Sequence, residues 1–500
     1  MAEMDLKIKT TRSLFWSFLD KFGHQVINLL SSIILMAVVA KSEFGIMGIL
    51  SVFIAFSNLL VDSGFSRALL NRKMISVIEY SSVFYFNILF SILIYTVLFF
   101  ATPYFSTLFN EPKITPVARV LFLSFVINAL GLIHQTLLIK RADFRGLTKI
   151  NIPAVLLSAI VAVVMAMHDY GIWALVAQIV FYSGFRTLFL WIYTQWRPVA
   201  KFSFALLKNS MRLSSKLLSA SLISAFFNNI YPSIIAFFFP NAMSSVADYT
   251  QANKYQDIPF AMVSNSFRSV SMLILSEINH EIERLKRVVS KLLKTIAFIS
   301  FPVGMFMILV AQPVFELIWQ EKWLSAVPYF QMLTLAGMVS PFTFVLNELY
   351  IARERADIFL GLEIGKRLVL VLLIWLFIPK GIMGLAMSWV VYTYFTLIVS
   401  LILSNKLIRY SLLSFLKDAV PYALIALIST TMSYYFTREI TNNFLMILIS
   451  GTVMVVSYLL LGRILKLEMI DDLKSWVFNK RNNRPQQAEM KGEEEHEHEQ

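Results

Sequence analysis

The sequence predicts an all-α protein that crosses a membrane about fourteen times. Three observations predict it. Hydrophobic residues fill 57% of the 500 positions and charged ones only 15%, with a mean hydropathy of +0.68. Apolar runs of about the twenty residues needed to cross a hydrocarbon core recur almost without pause. Lysine and arginine gather in alternate connections between those runs, the bias that fixes orientation across a membrane.

In chain order the predicted spans are 15–39, 44–62, 80–101, 117–138, 151–168, 171–193, 213–238, 246–275, 288–311, 326–351, 358–378, 381–403, 418–436 and 443–462. The apolar run after Ser13 lacks the small-residue cleavage site of a signal peptide, so the first span is expected to target the chain itself. An even number of spans puts both ends on one side. Taking that side as cytoplasmic, its connections hold Arg67, Arg72 and Lys73, then Lys140, Arg141, Arg145 and Lys149, then Arg197, Lys201, Lys208 and Arg212. Further on they hold Arg284, Lys286, Arg287, Lys291, Lys294, Arg353, Arg355, Lys366, Arg367, Lys406, Arg409 and Lys417. The opposite connections hold only Lys41, Lys113, Lys322, Lys380 and Arg438. Trp16, Trp191, Trp196, Trp319, Trp323 and Trp375 fall near the expected membrane–water boundaries, where an amphipathic indole is best placed. Gly361 and Gly365 form a small-xxx-small pair that reads as helix packing. The polar stretch 466–500 reads as a disordered cytoplasmic tail, and His496 and His498 within it as part of an acidic solubilising segment rather than a metal site.

The net charge of +13 does not point to nucleic acid, because the cations punctuate apolar stretches instead of forming a basic domain. There is no cysteine, hence no disulfide framework and no thiol nucleophile. No Gly-Lys-Ser/Thr phosphate loop and no histidine cluster with metal spacing occurs, so neither cofactor, metal nor enzymatic activity is expected.

A few spans are too polar to face lipid. In the first, Lys21, His24, Gln25 and Asn28 share one helical face, with Asp20 beside it. The seventh carries Lys216, Asn228 and Asn229; the eighth carries Asp248, Gln251, Asn253, Lys254, Gln256, Asp257, Asn265 and Arg268. A charge at the bilayer centre costs about 2.5–3.5 kcal/mol on insertion scales, so such helices line water or protein. An aqueous, cationic cavity bounded by these three helices is the economical expectation. Its candidate binding residues are Lys21, Lys216, Lys254, Arg268, Gln25, Asn28, Asn228 and Gln251, and Asp62, Asp257, Asp20 and Asp248 are candidate ion-coupling carboxylates. The competing reading is structural: an acid such as Asp20 or Asp257 pairs with a neighbouring lysine to hold helices together. His24 reads as a proton carrier or a merely hydrogen-bonded imidazole, His134 and Gln135 as interfacial, and Arg119 and Arg186 as able to snorkel from helix ends.

Four segments carry a family resemblance. The stretch from Lys41 to Leu70, with Lys-Ser-Glu-Phe-Gly and then Val61-Asp62-Ser63-Gly64-Phe65-Ser66-Arg67-Ala68-Leu69, resembles the opening of the Wzx-type polysaccharide-repeat flippases. These belong to the multidrug/oligosaccharidyl-lipid/polysaccharide exporter superfamily. Lys140-Arg141-Ala142-Asp143-Phe144-Arg145 is similar to that family's Arg-x-x-Phe connection, and Asp248-Tyr249-Thr250-Gln251-Ala252 to the start of its eighth helix. Phe301-Pro302, Pro313, Lys322-Trp323 and Pro328 match its ninth-to-tenth helix region. Two departures stand out: Ala40-Lys41-Ser42 replaces the usual Leu-x-Pro, and Leu273-Ile274-Leu275-Ser276 lacks a proline often present there.

The resemblance implies a six-helix lobe over 1–193, a cytoplasmic linker over 194–212, a second six-helix lobe over 213–403 and two further helices within 404–465. It implies a bacterial inner-membrane flippase that carries undecaprenyl-pyrophosphate-linked oligosaccharide to the outer leaflet. A polysaccharide polymerase and chain-length regulator are then candidate partners, and a proton or sodium ion the candidate coupling cation. Tyr231 and Tyr255 would stack on pyranose rings or pack at an interface. A peptidoglycan-precursor flippase and a cation-coupled drug exporter are alternatives within the superfamily. A membrane-embedded O-antigen polymerase is one from another class, but every predicted outer loop is too short to carry its chemistry.

Overall fold

The computed structural model describes residues 2–62, 69, 75–204, 222–278, 280–352 and 356–472. Every regular element among them is a helix. That is the physical consequence of the composition, since a chain in hydrocarbon must satisfy each peptide group internally and a helix does so within one segment. The α-helices are α1 (Ala2–Val38), α2 (Lys41–Asp62), α3 (Val77–Leu108), α4 (Ile114–Leu121), α5 (Leu123–Lys140), α6 (Phe144–Met167), α7 (Ile172–Tyr193) and α8 (Tyr231–Phe238). They continue as α9 (Met243–Glu277), α10 (Ile282–Trp319), α11 (Val327–Ala352), α12 (Ala356–Phe377), α13 (Gly381–Ile408), α14 (Leu412–Thr437) and α15 (Asn443–Ile464).

Among the described residues, ten segments are long and apolar enough to cross a membrane. One of them, Ile364–Ile408, is 45 residues long, which at about 1.5 Å per residue is twice a bilayer's apolar thickness. It is two helices broken at a 3₁₀ turn, Ile378–Lys380, and at Gly381, whose φ of 73° favours glycine. Every expected span except 117–138 and 213–238 coincides with a helix; the first of these is split at Phe122 into α4 and α5, and the second is described only from 222, is helical over 222–229, breaks at Ile230 and resumes as α8.

The chain divides into two compact units, Met1–Thr250 and Gln251–Gln500. In the first, α6 packs between α1 and α7, while α5 lies against α2, α3 and α7. Its apolar core gathers Tyr80, Val83 and Phe84 of α3 with Leu132, Ile133 and Leu137 of α5. The irregular stretch after α7 docks on α3: the amides of Val199 and Ser203 donate to the buried hydroxyls of Ser81 and Ser82 at 2.9 Å each. His134, expected at the interface, is instead fully buried, bonded to Thr194 and packed against Trp191 and Trp196.

In the second unit α10 is the spine, contacting α11, α14 and α15. Leu285, Val289, Leu293 and Ile296 recur every three or four residues along it and meet Phe342, Val345, Leu346 and Leu349 of α11. Close approach needs glycine: a Cβ on Gly337 of α11 would fall 2.3 Å from Gln256 Oε1 and 2.4 Å from the Phe260 ring. Gly365, by contrast, would meet nothing within 4 Å among the described residues, and of its expected packing partner in sequence, Gly361, the structure describes the helical position alone. Trp319 and Trp323, at the end of α10 and just beyond it, are buried, Trp319 lying against Tyr255 and Phe315. The first residues of the stretch expected to be a disordered tail are ordered. Residues 468–472 are helical, and Met469 and Ile470 are buried, because an apolar turn can tuck under Gly462, where Ile470 takes the place of a side chain. Positions 473–500 lie outside the described residues.

Candidate functional site

The polar face of α1 is wired into its own unit. Asn151 of α6 donates from Nδ2 to both Asp20 carboxylate oxygens, at 3.2 and 3.1 Å, and its Oδ1 accepts from Arg186 Nε of α7 at 3.0 Å. An amide thus relays between a carboxylate and a guanidinium on three different helices. Asn28 and His24, one turn apart, share a 2.9 Å bond, and Gln178 of α7 donates to Ser31 at 2.9 Å. Lys21 is exposed and Gln25 half-buried. Arg186 therefore binds protein rather than snorkelling, and so does Arg119, which donates to Thr102 Oγ1 at 3.2 Å and lies 4.2 Å over the Phe99 ring.

The start of α9 belongs to the same unit and is clamped onto α2. Lys41 Nζ lies 2.6 Å from Asp248 Oδ1, with the two side chains 15% and 4% exposed. Gly45 and Gly48 let the helices touch: a Cβ on Gly45 would fall 2.2 Å from the Met243 carbonyl oxygen, and one on Gly48 2.5 Å from Thr250 Oγ1. Tyr231 stacks on Tyr249 at 5.8 Å with an 8° interplanar angle and is buried. Tyr255, further along, is buried against Trp319. Of the two roles expected for these tyrosines, both take the packing one and neither offers a ring face to a sugar. Lys41, expected in a sparse outer connection, acts structurally.

Beyond Thr250 the same helix is two-faced. Ala252, Tyr255, Gln256 and Phe260 are buried in the second unit, and Gln256 donates to Asn253 Oδ1 at 3.1 Å. Lys254, Asp257 and Asn265 are exposed, and with Ala261 and Arg268 they recur at three- or four-residue spacing along one stripe. Lys254 Nζ lies 5.5 Å from the centre of the Tyr255 ring. Gln251, expected beside Lys254, points into the buried face, and Asn228 is exposed. Lys216 lies outside the described residues; of Asp62 and Arg268 the structure describes the helical position alone.

Sequence reasoning missed one polar group. Lys366 and Arg367, expected in a cytoplasmic connection, sit about ten residues into α12 and are buried. Lys366 Nζ reaches Asn347 Oδ1 of α11 at 3.5 Å, and the neighbouring Glu348 is also buried. The signal was available: two adjacent cations midway along an apolar run of 22 residues are too deep for a loop.

Comparisons with known proteins bear on this arrangement. The family model described as polysaccharide biosynthesis protein matches residues 34–328, a stretch that contains all four segments of the sequence resemblance. The chain is 24% identical over 384 residues to the lipopolysaccharide biosynthesis protein WzxC of Escherichia coli (strain K12), covering 76% of each. It is 24% identical over 477 residues to an uncharacterized membrane protein in the cps region of Klebsiella pneumoniae, covering 91% of this chain and 95% of that protein. Among solved structures it is similar to the lipid II flippase MurJ in its inward closed conformation, with a TM-score of 0.76 over 91% of this chain and all of that one. At 14% identity this likeness concerns the fold.

Proposed function

The chain belongs to the polysaccharide biosynthesis protein family, and from that premise we propose that it is a flippase for lipid-linked saccharide, carrying undecaprenyl-pyrophosphate oligosaccharide repeat units from the cytoplasmic to the outer leaflet of a bacterial inner membrane. The observation that carries the reading is the stripe on α9. A lysine, an acid and an amide exposed along a membrane-length helix cannot rest on acyl chains without a cost of about 2.5–3.5 kcal/mol for the charge alone, so the stripe borders water.

Such a surface suits the cargo. A pyrophosphate and a string of sugar hydroxyls must leave water, while the prenyl tail stays in lipid. Lys254, Arg268, Lys21 and Lys216 neutralise the phosphates, and Asn265, Asn228, Gln25 and Asn28 replace water around the sugars. Gln251, buried on the other side of α9, is better read as packing. The six-helix lobes over 1–193 and 213–403 rock to expose this surface to one side and then the other. Asp257 is the carboxylate best placed to couple a cation, because it shares the stripe with Lys254. Asp248 is held by Lys41 and Asp20 by Asn151, which suits structural roles for both.

The test is export in a strain that depends on this chain. Lys254→Gln, alone and with Lys216→Gln, is expected to abolish surface polymer and leave lipid-linked repeats at the inner leaflet, with wild-type amounts of protein in the membrane. Wild-type polymer in the double variant would refute the assignment. Single repeats displayed at the surface would point to a polymerase, and rescue of a peptidoglycan-precursor export defect to the alternative cargo.

A further inference from the structure

A cluster of cations in the second unit lies away from the α9 stripe. A cavity of about 540 Å³ opens where the first turns of α10 meet the start of α14, lined by Lys286, Arg287, Lys291, Lys294, Lys417 and Asp418 among others. Five cations and three carboxylates line it, so it is net positive. Two of its three acids are already engaged. Asp418 accepts from Tyr410 at 2.8 Å and Ser290 at 2.5 Å and faces Lys294 at 3.7 Å; Glu468 pairs with Lys294 at 2.6 Å. Lys291 is taken by Asp472 at 2.8 Å. Lys286, Arg287 and Lys417 have no carboxylate partner among the described residues, which leaves three cations against the one remaining carboxylate, Glu283, at one opening.

We propose that this cavity holds the headgroup phosphate of an anionic phospholipid. Depth favours a lipid over a soluble anion. α10 is 38 residues long, about 57 Å, against roughly 30 Å of hydrocarbon, so its cation-rich first turns stand at headgroup level before the apolar stretch begins. Beside Lys417 an apolar stripe starts on α14: Leu416, Val420, Leu424 and Ile428, at four-residue intervals, are all exposed. A phosphate in the cavity would lay its acyl chains along that stripe. The unpaired cations select a net negative headgroup, because a choline would carry its own cation into a positive cavity.

The experiment is native mass spectrometry of the full chain in mild detergent, with phosphatidylglycerol, phosphatidylcholine and inorganic phosphate as probes. Wild type is expected to retain phosphatidylglycerol well above phosphatidylcholine and to keep it in millimolar phosphate. In the triple variant Lys286→Gln, Arg287→Gln, Lys417→Gln retention should fall about tenfold or more, while Lys380→Gln with Arg438→Gln, on the sparse connections, leaves it unchanged. Arg287→Gln alone, read the same way, serves if the triple variant does not yield monodisperse protein. Equal retention in wild type and variant overturns the proposal, as does equal retention of the two lipids. Displacement of phosphatidylglycerol by millimolar phosphate would make a free anion the ligand and overturn the lipid assignment.

Discussion

Lys41 Nζ sits 2.6 Å from Asp248 Oδ1, an ion pair that ties the first residue of α2 to the second turn of α9. Both residues lie in segments by which the chain resembles its family, yet their contact is 207 positions apart in sequence and belongs to the fold. Removing one partner of a buried pair strands the other's charge, at about 3–5 kcal/mol. Lys41→Met and Asp248→Leu should each lower the apparent melting temperature in detergent sharply, and the double variant should recover part of the loss. A double-variant loss equal to the sum of the two single losses would show that the two charges do not act on each other.

The Asp20–Asn151–Arg186 relay should behave as one unit. Asn151→Leu deprives a carboxylate and a guanidinium of the amide between them, at about 1–3 kcal/mol. Thermal unfolding of that variant beside Asp20→Asn and of the two combined would reveal the coupling. A combined loss no greater than the larger single one is expected.

Because the chain has no cysteine, a single one reports cleanly on water access. Lys254→Cys and Asn265→Cys in membranes should react with a charged maleimide, while Tyr255→Cys, on the buried face, should not. Uniformly inert stripe positions would remove the physical basis for transport along α9.

Glycine substitutions should divide by what a Cβ meets. Gly45→Ala puts a methyl 2.2 Å from a backbone carbonyl that has no rotamer to yield, and the α2–α9 contact should open at a cost of about 1–3 kcal/mol or more. Gly365→Ala meets nothing and should leave stability unchanged or slightly raised, since alanine favours helix over glycine. Yield and melting temperature of the pair decide the matter.

Tyr410, in the short connection between α13 and α14, donates to Asp418, and burial beside that carboxylate pushes its phenol far above the ordinary value of 10. A group raised in the folded state contributes fully below its unfolded value and loses that contribution as pH rises past it. The protein should therefore weaken progressively above pH 10, and Tyr410→Phe should flatten that alkaline slope while costing about 1.5–3 kcal/mol at neutral pH. Melting curves across the alkaline range, wild type against variant, test both signs.

How much was legible depended on whether a signal was local. The apolar runs and the alternation of Lys and Arg gave the helices, because desolvating a peptide group is costly whatever surrounds it. The polar character of α9 was legible for the same reason, as was the family, whose segments lie within 34–328. Which residues of α9 are buried did not follow: Gln251 and Lys254, expected together, lie on different faces of it.

Sequence alone, then, determined an all-helical membrane chain of a transporter family, since each crossing is decided by some twenty consecutive residues and their cost in hydrocarbon. Tertiary structure decided the partners. It paired Lys41 with Asp248, buried Lys366 and Arg367 in α12, and packed Tyr231 and Tyr255 against other rings. A polar side chain in a membrane finds whichever complementary group packing brings within about 3 Å, and that distance is set by helices far apart in the sequence.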